Sequence, residues 1–250
     1  MAKMTLLSMV QDILNDMDSD DVNSVNDTEE ALQVANIIKT TFYEVIGSRY
    51  WPHLRNIGQL SGSGDSSKPV HLLVPDDAQI VEWLKYNTRT ATATRDSFVD
   101  ITYKEPKEFM DYVNARNSSD STVSEVIDYS GITLLVKNST APLYWTSFDD
   151  EVIVMDAYNS AVDSTLQGSK TQVQVYREPA FTIADAFIPD LTSKAFPYLL
   201  SEAKSVAFNA LRQVGNQKEE QRSRRQRTWL AREKRRTNEG INRQNYGRKK

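Results

Sequence analysis

The chain has 250 residues, of which 39% are hydrophobic and 26% are charged, enough for one large or two small domains with a buried core. It has no cysteine and only two histidines, His53 and His71, which excludes disulfides, thiolate nucleophiles and multi-histidine metal sites. No apolar run approaches the roughly 18–20 residues that span a bilayer, and residues 1–6 lack the features of a signal peptide. We therefore expect a protein that is made in a cytosol and uses neither cofactor nor metal.

The charge is distributed unevenly along the chain. Residues 217–250 contain 13 Lys or Arg and 4 Asp or Glu, a net charge of +9, whereas residues 1–216 carry a net charge of −13. Between Val214 and Trp229 lie 14 residues without a large apolar side chain. Such a segment cannot form a core of its own, so it is either solvated or made for the surface of another molecule.

Two helices are predicted at the N-terminal end. In residues 4–17, apolar side chains recur at spacings of three and four, which predicts an amphipathic helix. Asp27 or Thr28 is the candidate N-cap of a second amphipathic helix that ends at Gly47, because their side chains can accept free amide hydrogens of a first helical turn.

The middle of the chain is predicted to be rich in strands. Residues 61–69, rich in Gly and Ser, are expected to form a flexible hairpin loop or short linker. Pro106 favours a short helix over residues 107–114, because proline is tolerated in a first helical turn. Apolar or alternating stretches predict six to eight strands, with candidates at residues 70–74, 80–86 (ambiguous between strand and helix), 99–103, 132–136, 143–148, 151–158 and 171–176.

A further helix is predicted over residues 199–214, where apolar side chains follow one face. This face ends beyond Gly215, but Gln, Glu, Lys and Arg are good helix formers, so we expect the helix to continue to about Arg236. About 20 further helical residues would project roughly 30 Å past the core. Residues 238–250 are expected to be disordered when unbound.

Together these elements predict an α+β fold. The predicted architecture is an antiparallel helix bundle from the N-terminal and C-terminal helices, with a central β-sandwich-like insertion and a long extended C-terminal helix or arm. The predicted divisions are residues 1–52 (N-terminal helical part), 53–189 (central β-rich part), 190–216 (C-terminal core helix completing the bundle) and 217–250 (basic arm).

Three other patterns favour ordinary structural roles. Residues 16–20 resemble the start of a calcium loop, but Asp21 stands where that loop needs glycine, which favours a solvated turn. The acids at 149–151, with Asp156, could supply paired carboxylates, yet no base or nucleophile motif accompanies them, which favours a turn. The aromatic stretch at 144–148 is flanked by acids, which favours core packing or a subunit interface over base stacking.

The basic C-terminal segment has three open interpretations. It could be a solvated charged helix, a nucleic-acid-binding element whose arginines neutralise phosphates, or an arm that docks into an acidic protein surface. Trp229 and Leu230 form a lone aromatic–aliphatic pair amid arginines, and such pairs are typical anchors of protein interfaces. This pair favours docking slightly.

Two blocks of the sequence resemble a known family. They are Met-Val-Gln-Asp-Ile-Leu at 9–14, Val-Asn-Ser-Val at 22–25, Ala-Leu-Gln-Val-Ala-Asn-Ile-Ile at 31–38 and Ser-Arg-Tyr-Trp at 48–51, then Phe-Pro-Tyr-Leu-Leu at 196–200 with the Gln/Arg-rich helix after it. In this order they are similar to tail tubular protein A, the head-to-tail adaptor of short-tailed bacteriophages (podoviruses). The resemblance covers roughly the first 51 and the last 60 residues, and the central strands match only in kind.

The resemblance implies a non-enzymatic virion protein of the tail or neck, assembled in the host cytoplasm, that forms a ring of usually twelve copies. Helices would form the ring, the β-part would meet nozzle, tail tubular or tail fibre proteins, and the C-terminal segment would bind the portal. Genomic DNA would pass through without specific binding, since acidic walls repel the duplex. The predicted portal-binding residues are Arg222, Arg224, Arg225, Arg227, Trp229, Leu230, Arg232, Arg235, Arg236 and Tyr246.

Two other functions compete with this prediction. The leading alternative is a nucleic-acid-binding protein that uses the same arginines. A cell-wall hydrolase within the tail, using acids such as Asp149 or Glu151, is the third.

Overall fold

A computed structural model describes residues 3–90 and 92–243 of the chain, with side chains described up to residue 232. The described residues form two compact units, one of residues 3–53 with 179–243 and one of residues 54–178. The α-helices are α1 (Leu6–Asp16), α2 (Glu29–Gly47), α3 (Pro106–Asn114), α4 (Phe196–Arg212) and α5 (Gln217–Arg243). The strands are β1 (Arg55–Gly58), β2 (Ser61–Gly62), β3 (His71–Leu73), β4 (Ala78–Asn87), β5 (Phe98–Tyr103), β6 (Val123–Ile127), β7 (Thr133–Lys137), β8 (Tyr144–Ser147), β9 (Val152–Met155) and β10 (Thr171–Arg177).

In the first unit, the start of α2 follows from its sequence. The hydroxyl of Thr28 accepts the amide hydrogen of Ala31 at 3.1 Å, so Thr28 is the N-cap. The carboxylate of Asp27, the other predicted cap, accepts the amide hydrogens of Asn23 and Ser24 at 2.7 Å each. It thereby holds the turn that leads into the helix.

Helix α4 packs against α1, α2 and α5. On its α1 side, the buried ammonium of Lys204 lies 2.8 Å from a carboxylate oxygen of Asp12 and 2.5 Å from one of Asp16. Burial by itself would lower the pKa of Lys204, but the hydrogen bonds to these two carboxylates outweigh it and raise that pKa. Asp16, part of the calcium-like pattern, therefore serves as a partner of α4.

The second unit is built on an eight-stranded sheet in the order β1-β10-β4-β5-β8-β9-β3-β2. Neighbouring strands are antiparallel except β5 and β8, which are parallel. Strands β1 and β2 lie at opposite ends of this order, yet only Gln59 and Leu60 separate them in the chain. The sheet is therefore curled until its two ends are joined by one continuous stretch of backbone.

The core of the second unit is built largely from buried side chains of this sheet. It contains Leu72, Leu84, Ile101, Ile153 and Val173 from five different strands. Helix α3 and the two-stranded sheet of β6 and β7 also contribute buried side chains to this core. Residues from almost every element of the unit are needed to fill it.

The predicted fold class is wrong. The described chain is a mostly sheet-rich fold with one large curled mixed sheet and five α-helices, and it is not a helix bundle with a β-sandwich-like insertion. Period-two alternation identifies strands, but it does not say which strands pair. The long-range pairing of β1 with β10, which curls the sheet, leaves no local signal in the sequence.

Most predicted strands are confirmed in place, and the ambiguous stretch at 80–86 is a strand, part of β4. Strands β1, β2 and β6 were not predicted, and β2 lies within the predicted loop at 61–69. Side chains of β1 are exposed or half-buried along its whole length, so it shows no alternation that a sequence pattern could reveal.

Candidate functional site

The candidate site is the surface of α5. This helix does not continue α4: Gln213 ends α4 in the left-handed conformation, with φ of 53°. The side-chain oxygen of Asn216 then accepts the amide hydrogen of Glu219 at 3.2 Å and caps a new helix. Sequence reasoning, which predicts one continuous helix here, missed this break, although Gly215 followed by Asn216, with Glu219 three residues later, is a pattern that could have revealed it.

One face of α5 packs against the rest of its own unit. Glu219, Ser223 and Leu230 are buried and Gln226 is half-buried, at spacings of four, three and four residues. The Ser223 hydroxyl donates to a carboxylate oxygen of Glu202 on α4. This face is mostly polar, which is why hydrophobic periodicity does not predict it.

The predicted arm is therefore wrong in two respects. Helix formation beyond Gly215 is confirmed, but the helix is interrupted between Arg212 and Gln217 instead of continuing, and α5 packs on α4 instead of projecting freely from it. Leu230 is only 4% exposed, and its carbonyl oxygen accepts a hydrogen bond from the Arg49 guanidinium at 3.0 Å. The same guanidinium lies 3.7 Å above the ring of Trp51. Leu230 is thus an internal anchor of the helix and cannot contact a partner in this arrangement.

Another side of α5, which flanks this buried face, is solvent-exposed and basic. Trp229 is 49% exposed. Arg222, Arg225, Trp229 and Arg232 follow one another at spacings of three, four and three residues, so they lie along one side of the helix. We call these four residues the Arg–Trp stripe. A large aromatic ring flanked by guanidinium groups has the composition of a protein-interface hot spot.

Two further predicted residues, Arg224 and Arg227, are exposed but lie on another side of α5. Arg224 forms an ion pair with Glu220 one turn away. Arg227 is near Tyr198 of α4, whose pKa is raised by burial and by Glu202, while the Arg227 charge lowers it in part. The predicted cluster of arginines is therefore divided between two sides of the helix.

The remaining predicted residues lie wholly or partly outside the described part of the chain. Arg235 and Arg236 fall within the backbone of α5, but their side chains lie outside the described residues. Tyr246 lies outside the described residues altogether. Sequence reasoning also missed Arg49 and Glu202, which hydrogen-bond to Leu230 and Ser223 of α5. Neither belongs to a basic or acidic cluster in the sequence.

The acidic and aromatic patterns have structural roles. The Asp149 carboxylate accepts the amide hydrogen of Val152 at 2.9 Å in the turn between β8 and β9, which confirms the predicted turn. Asp156 is buried against Arg116 at 2.9 Å. Trp145 is buried in the core, as predicted for the aromatic stretch.

The described part of the chain has neither a cluster of metal-binding side chains nor a membrane-spanning helix. Among residues 3–90 and 92–243, no group of three or more carboxylate or imidazole side chains is placed to hold a metal ion. In the same residues, no helix has the length and apolar content that crossing a membrane requires. Comparison of the sequence with models of protein families and with curated proteins finds no match.

Proposed function

We propose that this chain is the head-to-tail adaptor of a short-tailed bacteriophage, a structural virion protein without catalytic residues. In this proposal it forms a ring of twelve copies between the portal and the nozzle or tail proteins, and the ring surrounds the channel for DNA ejection. The order of the motifs at residues 9–51 and 196–200 supports this proposal. The structural observation that carries it is the exposed Arg–Trp stripe on α5.

The stripe is suited to docking because α5 is already held on its other face. A partner does not have to supply the core that orders the helix, so binding costs less conformational entropy than folding a free segment. The Trp229 ring supplies apolar area, and Arg222, Arg225 and Arg232 supply charge around it. The portal surface that receives the stripe would therefore be a cleft with an acidic rim.

The charge of the rest of the chain is compatible with a DNA channel. Residues 1–216 have a net charge of −13, so they repel a passing duplex more than they bind it. Genomic DNA would then pass through the ring without specific contacts. The basic residues are concentrated in the segment proposed to be covered by the portal.

The test is a titration of the portal protein from the same phage with wild type and three variants. Trp229→Ala should weaken binding by on the order of 2 kcal/mol or more if the ring fills a cleft. The double variant Arg222→Ala with Arg225→Ala, on the stripe, should weaken it further than Arg224→Ala with Arg227→Ala, on the other side. The two double variants remove the same charge, and each also removes one ion pair along α5, Arg222 with the buried Glu219 and Arg224 with the exposed Glu220, so the unfolding free energy of both variants is measured beside their binding.

The same variants discriminate against nucleic-acid binding. If the arginines bind duplex DNA, each one removed should reduce the slope of the logarithm of the binding constant against the logarithm of the salt concentration by about one, whichever side of α5 it occupies. Trp229→Ala should then change DNA binding little. If wild type and Trp229→Ala bind the portal equally tightly, the stripe is not the docking element. The hydrolase alternative predicts peptidoglycan turnover by the purified protein, whereas the adaptor proposal predicts none.

A further inference from the structure

In the second unit, β4 loses one of its two neighbours halfway along its length. Residues 84–87 of β4 pair with residues 98–101 of β5, but residues 78–83 pair only with β10 on the other side. Strand β5 has by then turned towards β8, where Tyr103 pairs with Trp145. The two strands diverge and leave a cleft in the sheet.

The β4 edge of this cleft carries main-chain groups that the sheet does not use. Residues 78–83 pair with β10 through two register shifts, at Gln79 and at Glu82, so the N–H and C=O groups that face the cleft do not follow a strict alternation along this stretch. No strand of the described chain pairs with this side of β4. An unpaired strand edge is a template onto which an extended peptide can add.

The cleft has room for side chains and an aromatic lining. A cavity of about 370 Å³ lies between Trp83 on β4 and Tyr103 and Trp145 on the other side. Tyr103 is 45% exposed, and its ring packs edge-on against Trp145 with centroids 4.8 Å apart. A second cavity of about 160 Å³ shares Tyr103 and Trp145 and reaches Asp150.

Every charged side chain that lines these two cavities and the adjoining groove of about 400 Å³ is a carboxylate. The residues are Asp76, Glu82, Asp100, Asp150 and Glu151. Arg55 pairs with Glu82 at 2.9 Å and Lys85 with Asp100 at 3.2 Å, but among the described side chains no cation pairs with the other three. This charge attracts a basic segment and repels phosphate groups.

We propose that the cleft binds an extended basic segment of another protein, which adds as a strand along residues 78–83. Its main chain would hydrogen-bond to β4, its apolar side chains would contact Tyr103 and Trp145, and its basic side chains would approach Asp76, Asp150 and Glu151. This interaction surface is independent of the Arg–Trp stripe and goes beyond the portal docking proposed above.

The probe is a fluorescent peptide, Arg-Val-Arg-Val-Arg-Val with blocked ends, titrated against the full-length protein by fluorescence anisotropy. We expect saturable binding, and no binding of a peptide with Glu in place of Arg. Methylation of alternate main-chain nitrogens removes donors along one edge of the peptide without changing its charge. It should weaken binding about tenfold or more, since several main-chain hydrogen bonds are lost.

Two matched variants locate the site. Asp150→Asn should weaken binding about threefold, in line with the loss of one exposed ion pair. Asn also tolerates the left-handed backbone of Asp150, whose φ is 63°. Glu125→Gln, an exposed acid on β6, should leave binding unchanged. Equal weakening by both variants would show that the attraction is non-specific.

Hydrogen exchange provides a readout on the wild-type protein that does not depend on any variant folding. Saturating peptide should protect amides within residues 78–83. Absence of that protection, or equal affinity of the N-methylated peptide, would overturn strand addition. Tighter binding of a peptide with this chain's own residues 244–250 would overturn the assignment to another protein and indicate a contact between copies.

Discussion

At the scale of single residues, neighbours in the chain have opposite environments on α5. Leu230 is buried in the seam, which is the face of α5 that packs against the rest of its unit, whereas Trp229 is half-exposed on the Arg–Trp stripe. Successive helical residues point about 100° apart, so a pair of adjacent apolar residues cannot serve the same surface. The folded state depends on the smaller side chain, and the proposed docking depends on the larger one.

Substitution of these two neighbours should separate stability from binding. Leu230→Ala is expected to cost about 2 kcal/mol in the free energy of unfolding, the low end for a buried Leu, because it is the only large apolar side chain among those described that α5 buries against its unit. Trp229→Ala should change that free energy by about 0.5 kcal/mol or less. Urea denaturation followed by circular dichroism measures both. Equal destabilisation would mean that Trp229 belongs to the core.

His71 and Asp128 form a buried pair in the second unit. Nε2 of His71 donates to a carboxylate oxygen of Asp128 at 2.9 Å, while Nδ1 is buried without a partner among the described atoms. Burial lowers the pKa of His71, and the hydrogen bond to Asp128 offsets this only in part, while the nearby Lys68 lowers it further. The imidazole is therefore neutral in the folded protein near neutral pH.

This pair predicts a pH dependence of stability. The folded-state pKa of His71 lies below its ordinary value of 6.5, so the unfolded chain binds the proton more readily. The contribution of His71 to the free energy of unfolding should be complete above pH 6.5. It should be lost as the pH drops from there towards the folded-state pKa. Denaturation at a series of pH values between about 7.5 and 5.5 measures the slope. His71→Gln should remove it, whereas His53→Gln should retain it.

At the scale of elements, the closure of the curled sheet depends on a close backbone approach. A Cβ atom at Gly168 would lie 2.2 Å from the carbonyl oxygen of Leu60 and 3.0 Å from the amide nitrogen of Gly62. Both atoms belong to the backbone, so neither can rotate away. Leu60 also donates its amide hydrogen to the Thr171 hydroxyl at 2.8 Å, which fixes this backbone in place.

Gly168→Ala should therefore open the closure. We expect a loss of about 3 kcal/mol or more in the free energy of unfolding, at the upper end of the cost of overpacking a core. Gly58→Ala, in β1, is the matched control, because a Cβ there meets nothing within 4 Å. Thermal denaturation of the two variants compares them. A Gly168→Ala variant as stable as the control would show that the backbone near Leu60 can move.

The sequence predicts elements of this fold better than their arrangement. The helices and the strands with one buried face are evident from periodicity and capping residues, as at Thr28 and Pro106. The exposed β1 and the two-residue β2 have no such pattern, although they close the sheet. The basic composition of α5 was evident, but the polar seam that selects its exposed side was not, because Glu219 and Ser223 resemble surface residues.

At the scale of the whole molecule, the second unit contains its own core. All buried members of that core lie within residues 60–175. Its chain ends are close together, since Arg55 and Tyr176 are paired across β1 and β10. A unit with its own core and adjacent termini has the properties of an independently folding domain.

Residues 54–178 expressed alone should therefore fold. We expect a β-rich circular dichroism spectrum and a single cooperative thermal transition, because the unit loses none of its own core. The Leu72→Ala variant of the same fragment is the control, and it should unfold at a lower temperature because Leu72 is fully buried. A fragment without a cooperative transition would show that the unit needs the rest of the chain.

The joining of the two sheet ends also has a consequence during synthesis on the ribosome. Strand β1 is made early, but its partner β10 follows more than a hundred residues later, so the ring of strands cannot close until residues 171–177 have emerged. Until then, both β1 and one side of β4 lack their neighbour. Such unpaired edges associate readily between nascent chains, and pairings so distant in sequence form slowly. Yield in the cell should thus respond to translation rate and chaperones more strongly than the stability of the finished protein would indicate.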